Sequence, residues 1–317
     1  MSSMLALIQN ENMKIFRRVP TWIMLGLLVV IIFTGAILQK VNSDDEQANA
    51  NWKGDLQQQN AQYEQTIKDK DAPAFIVANS KKNLALNQYR LDHDLDPNVD
   101  GAWENVINNV AIINVVTLFT IIIAGGSVAS EFSWGTIKLL LIRPVSRSKV
   151  LFAKYISTFT FALITLILLF GLSFAVGAIF FGTDTIGTPH LAYHDGKVIE
   201  TSMFIHAIQV YGLACVGLLM MVTFAFMVGT IFRNSSLSIG LAIFLMFMGA
   251  QGTQVIALKF DWAKYILFAN MDLTRYIDGV PLVEGMTMTF SVVMLVVYFV
   301  VFNGLTWMIF NKRDVAA

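Results

Sequence analysis

Six stretches of the chain contain no Asp, Glu, Lys or Arg: residues 20–38, 106–129, 155–181, 203–232, 237–258 and 286–310. A helix needs about 20 apolar residues to cross the hydrocarbon core of a bilayer. Lipid offers no partner to a backbone amide, so a crossing segment must close its hydrogen bonds within itself as a helix. The pattern predicts an all-α polytopic membrane protein with six transmembrane helices. Composition agrees: 14% of the 317 residues are charged, where a soluble domain carries about 25%. Mean hydropathy is +0.61. The net charge of zero gives no basic signal for nucleic acid, so no nucleic-acid partner is expected. Cys215, the single cysteine, has no partner for an intrachain disulfide and reads as a packing residue.

The fourth and fifth stretches are separated by Arg233-Asn234-Ser235-Ser236, a polar turn that makes them a tight hairpin. The first stretch follows Lys14, Arg17 and Arg18, as a signal peptide would, but it is as long as a full span and lacks a small-residue cleavage site. Basic residues favour the cytoplasmic side. With the N-terminus inside, that side holds Lys14, Arg17, Arg18, Lys138, Arg143, Arg147, Lys149, Lys154, Arg233, Lys312 and Arg313 against Glu11, Glu131 and Asp314. The other side then holds half of the 22 bases and nineteen of the 22 acids. Both termini are therefore expected in the cytoplasm.

These boundaries organise the rest. Residues 1–19 precede the first span, 20–38, and are expected to form a cytoplasmic interfacial helix. Met4, Leu5, Ile8, Ile15 and Phe16 would share one side, and Asn10, Glu11 and Lys14 would lie elsewhere. Pro20 is placed to open a new helix. Residues 39–105 form an extracytoplasmic loop domain with twelve acids against seven bases. Its apolar residues recur at helical spacing on both sides of Asp71-Ala72-Pro73, which predicts a helical hairpin. The second span is 106–129, and residues 130–154 make a cytoplasmic loop. Spans three to six occupy 155–310, and 311–317 is a cytoplasmic tail. The second outer loop carries His190, His194 and Asp195. Two His and a carboxylate are metal-ligand types, but Asp195-Gly196 reads as a turn and a solvated loop is the stronger reading. No metal site is expected. Residues 259–285 carry Trp262, Tyr265, Phe268 and Tyr276, aromatics suited to short interfacial helices.

The 130–154 loop has an ordered shape. Glu131 sits at the membrane edge. Gly135-Thr136 opens a short apolar helix, 136–142, with Ser133 or Thr136 as its cap. Pro144 prevents continuation, and a basic stretch leads back into the membrane. A short rigid helix parallel to the inner surface is the expected result, with cations near its C-terminal end where the helix dipole favours them.

At this loop the chain resembles the permease subunits of type-2 ABC transporters. Their pattern is a Glu, then Gly-Thr, an apolar stretch, Pro-Val/Ile-Ser-Arg and a Lys entering the next helix. Here it stands as Glu131, Gly135-Thr136, residues 137–142, Pro144-Val145-Ser146-Arg147 and Lys154. The six-span layout with an N-terminal interfacial helix is similar too. Among such proteins it most resembles bacterial bacitracin- and lantibiotic-resistance permeases and sodium-export permeases. The resemblance implies an exporter of two permease subunits, identical or homologous, and two ATPase subunits in the bacterial cell (inner) membrane. It implies that Glu131, Trp134, Gly135, Thr136, Lys138, Arg143, Pro144, Arg147 and Lys154 couple to the ATPase, with Arg233 in a smaller second contact.

The energy source would lie in that partner. A phosphate-cradling Gly-x-x-x-x-Gly-Lys-Ser/Thr run is absent from the sequence, and Gly135-Thr136-Ile137-Lys138 lacks its spacing. No catalytic residue is expected, and ATP and Mg are expected on the partner chain. At 100° per residue, Asn105, Asn109 and Thr120 share one sector of the second span with Asn108 on its flank. Gln251 and Gln254 close the fifth. These polar residues line a substrate route or bond between helices. His206 at a span edge reads as an interfacial residue. Two further readings stay open: an ion-coupled secondary transporter, and a membrane sensor or assembly protein whose outer loop binds a ligand.

Overall fold

The computed structural model describes residues 4–47, 51–97, 101–133, 146–183, 187, 189–194, 196–278 and 281–312. Among them, six helices are long and apolar enough to cross a membrane: a multi-pass, all-α membrane protein. The segment 134–145, which holds Trp134, Gly135, Thr136, Lys138, Arg143 and Pro144, lies outside the described residues.

Helix α1 (Met4–Phe16) is short and separate from α2 (Val19–Gln47), which supplies the first span. Pro20 stands in the first turn of α2, where its missing N–H costs nothing. The carbonyls left open at the end of α1 are met from α2: Thr21 Oγ1 donates to Ile15 O (2.6 Å) and Trp22 Nε1 to Phe16 O (2.8 Å). Helices α3 (Trp52–Lys68) and α4 (Ala74–Asp92) then form a hairpin, with Leu56 and Leu86 buried.

The second span is broken. Helix α5 (Ala102–Asn108) passes through a 3-10 turn, Asn109–Ile112, into α6 (Ile113–Ser133). Span three is α7 (Arg147–Phe181). It leads to a β-hairpin of β1 (Pro189–His194) and β2 (Lys197–Ser202), paired antiparallel in the register His190–Thr201, Ala192–Ile199. The expected solvated loop is thus an ordered hairpin. Gly196, at φ 81°, supplies the left-handed turn that strands of this hand require. Span four is α8 (Met203–Phe232) and span five α9 (Ser235–Ala257). They are joined by Arg233, left-handed at φ 55°, and Asn234, whose side chain accepts from Leu237 N (3.0 Å) and caps α9. After a 3-10 turn, Asp261–Tyr265, come α10 (Leu267–Asn270), α11 (Arg275–Asp278) and span six, α12 (Met288–Lys312).

Span four is the most buried of the six, and spans five and six the least. Span four packs on two, five and six, and span one packs on three. Lipid tails supply no hydrophobic drive between helices, so close approach and interhelical hydrogen bonds must hold the bundle. Both are present. A Cβ added at Gly229 would sit 2.7 Å from Gly125 O, and one at Gly125 would meet Ser238 Oγ at 2.7 Å. Small residues thus let spans two, four and five touch. Ser238 Oγ donates to Ala225 O (2.7 Å), and the Tyr155 and Thr223 hydroxyls meet at 2.7 Å.

Candidate functional site

Where spans two and three approach the 134–145 segment, α1 is clamped against them by buried charge. Ile8, Glu11 and Ile15 follow one another at helical spacing on the side of α1 that faces the bundle, and Glu11 and Ile15 are buried. Lys154 lies in the second turn of α7, with its side chain only 2% exposed. Its ammonium donates to Glu11 Oε2 (2.9 Å) and to Glu131 Oε1 in the last turn of α6. Lys14, with its side chain 38% exposed, bonds Glu11 Oε1 (2.6 Å) and Glu131 Oε1 (3.1 Å). Two carboxylates and two ammoniums thus form a neutral cluster that joins three helices. Ser157 Oγ, donating to Ile8 O (3.2 Å), and the Phe16–Phe161 ring contact extend the same seam.

Burial alone would raise the Glu11 carboxyl. The nearby Lys154 and Lys14 ammoniums outweigh it and hold the group below its ordinary value. For Lys14, burial works against the charge, but the Glu11 and Glu131 carboxylates prevail and the group sits above its ordinary value. Both residues are charged across the neutral range. The arrangement ties parts together electrostatically. Among the described residues, no group of three His, Cys, Asp or Glu side chains could hold a metal ion.

The structure brings Glu131 and Lys154 into contact, with Arg147 at the start of the same helix as Lys154. Arg233 stands in the turn between spans four and five. Glu11 and Lys14 were missed: the expectation that they lie away from the packed side of α1 is corrected, because that side faces two span ends rather than a flat lipid surface. The signal available was Glu11 at the Ile8/Ile15 spacing, one of three acids in otherwise basic segments.

Asn105, Asn109 and Thr120 of span two are all buried. Asn105 Nδ2 donates to Ser173 O (2.6 Å) and Asn109 Nδ2 to Ser173 Oγ (3.0 Å), bonding span two to span three. Thr120 is buried and donates to Val116 O in its own helix (2.8 Å), while Asn108 is exposed. A 3-10 turn at Asn109–Ile112 interrupts the helix between Asn105 and Thr120. Gln251 is exposed. Gln254 lines a cavity together with Asn114 and Thr117, two residues the sequence reading did not select. His206, in the first turn of span four, is buried, and its ring stacks on His190 at 3.4 Å.

Six spans, a clamped N-terminal helix and hairpins after spans one and three define a polytopic membrane protein with a built junction between α1 and two span ends. The chain belongs to the family described as "Protein of unknown function (DUF2705)", whose model matches residues 75–316. It is 48% identical over 317 residues to "Uncharacterized protein YhcI" of Bacillus subtilis (strain 168), covering 99% of this chain and 100% of that one. To "Uncharacterized membrane protein YdbK" of the same organism it is 30% identical over 198 residues, 62% of this chain and 76% of that one. A 92-residue match, 29% of this chain and 24% of the relative, is 27% identical to "Inner membrane transport permease YhhJ" of Escherichia coli (strain K12).

Proposed function

We propose that this chain is the membrane-spanning permease subunit of an ATP-driven exporter, moving a substrate such as an antimicrobial peptide, a drug or an ion. In this reading it has no catalytic site. A separate ABC ATPase holds ATP and Mg, and the transporter contains a second permease copy or homologue. The membrane is the bacterial cell (inner) membrane. The end bearing Glu11, Glu131 and Lys154 faces the cytoplasm, as the excess of bases in the segments at that end supports.

The observation that carries the proposal is the buried cluster. Glu131 and Lys154 bracket the 134–145 segment and bond each other and Glu11. A push on that segment therefore reaches α1, span two and span three together, as a coupling between a soluble motor and a bundle requires. The bundle would shift between two populations according to the nucleotide state of the partner. The distant relative printed as a transport permease supports the transport reading.

The test is to co-express and co-purify the chain with candidate ABC ATPase subunits and to measure ATP hydrolysis with Glu131→Gln and Arg147→Ala. Assembly retained with hydrolysis uncoupled from the permease supports the assignment. Unchanged coupling in both variants overturns it.

A further inference from the structure

At the end of the bundle remote from the ionic cluster, two cavities share a wall. The first, about 470 Å³, is bounded by Asn114 and Thr117 of span two, Met221 of span four, Met246 and Gln254 of span five, and Met271 beyond it. The second, about 460 Å³, lies between Pro73 and Ala78 of the α3–α4 hairpin, Ala257 at the end of span five, and residues 281–285. Leu282 lines both, so they are neighbours across one side chain.

Their chemistry differs. The first cavity is within the size range of ligand pockets, roughly 300–1,000 Å³. Its three methionines present flexible, polarizable thioethers that adapt to varied apolar shapes. Among the described residues, the ionic groups that line it are Asp272 and Arg275, which bond each other at 2.9 Å, so their charges cancel. Among the described residues, Asp261 and Glu284 line the second cavity and no Lys or Arg does. Among the described residues neither acid has an ion-pair partner. A concave site of one sign concentrates the opposite charge.

We infer that the paired cavities bind a small amphiphile with a cationic head, its apolar body among Met221, Met246 and Met271 and its head toward Asp261 and Glu284. The inference stands on the cavities whether or not a partner ATPase drives the chain.

The experiment uses the full chain in nanodiscs of zwitterionic lipid, with empty discs subtracted. It compares labelled tetraphenylphosphonium with tetraphenylborate, an anion of nearly the same shape. The wild type is expected to bind the phosphonium saturably and about tenfold more tightly than the borate. Asp261→Asn combined with Glu284→Gln removes most of that preference. Ala250→Phe, which fills the wall of the first cavity, weakens phosphonium binding about tenfold. If that variant does not keep the wild-type unfolding midpoint, Ala214→Leu on the same cavity is read in its place. Equal binding of the two ions by the wild type overturns the inference, as does phosphonium binding that the cavity-filling change leaves intact.

Discussion

Lys154→Met removes the ammonium that lies between Glu11 and Glu131 while keeping most of the side-chain volume. At the 2.9 Å separation from Glu11, an effective dielectric of about 20 gives roughly 6 kcal/mol of attraction. The desolvation that this ammonium suffers in the native state offsets several kcal/mol of it. The variant also removes one of the two ammoniums that bond Glu11 and Glu131 and leaves Lys14, which is partly exposed. Breaking one partner of a buried pair costs about 3–5 kcal/mol, and that is the loss expected here. Adding Glu131→Gln restores the charge balance, leaving Glu11 with Lys14, and is expected to recover about 2 kcal/mol. Unfolding by SDS in mixed micelles, followed by tryptophan fluorescence, measures each corner of the cycle. A loss below about 1 kcal/mol for Lys154→Met, or a Glu131→Gln effect of the same size and sign in both backgrounds, would refute the coupling.

Three further outcomes follow from the packing and the charges. Gly229→Ala places a Cβ against Gly125 O and is expected to cost about 1–3 kcal/mol in the same unfolding assay; an unchanged midpoint would remove close backbone approach as a cause of packing there. Asn109→Ala loses the bond to Ser173 and should cost about 1 kcal/mol; lost transport at unchanged stability would instead place Asn109 on the substrate route. The Glu11 carboxyl lies below its ordinary 4.5 in the folded chain, so its contribution to stability is fully present above that value and is lost as pH falls through the lower folded value. Lys14 lies above its ordinary 10.5, so its contribution is present below that value and is lost as pH rises through the higher folded one. Glu11→Gln should reduce the acid fall in unfolding midpoint; an acid limb identical to wild type would contradict this.

The spans were legible because membrane thickness imposes a length on them, and charge marks their ends. The break between α1 and α2 was legible at Pro20, and the α3–α4 hairpin at Pro73, because proline acts on local backbone. The burial of Glu11 was not legible. Its partner Lys154 is 143 residues away, and the periodicity of one helix cannot say whether its neighbour is lipid or protein. The 3-10 turn at Asn109–Ile112 was not legible for a related reason: reading from Asn105 to Thr120 at a constant 100° step assumes an unbroken helix. The β-hairpin was signalled in the sequence only by the Asp195-Gly196 pair. Asn114, Thr117 and Gln254 converge on a cavity through three-dimensional packing that their sequence positions do not encode.

Lys149 is exposed in the first turn of α7, beside the cluster and the segment assigned to partner contact. A Lys149→Cys variant, with Cys215 replaced by Ser, can be reacted with a membrane-impermeant maleimide in intact cells and in inside-out vesicles, with and without the partner ATPase. The account expects no reaction in intact cells, rapid reaction in the vesicles, and protection when the ATPase is bound. Reaction in intact cells would contradict it.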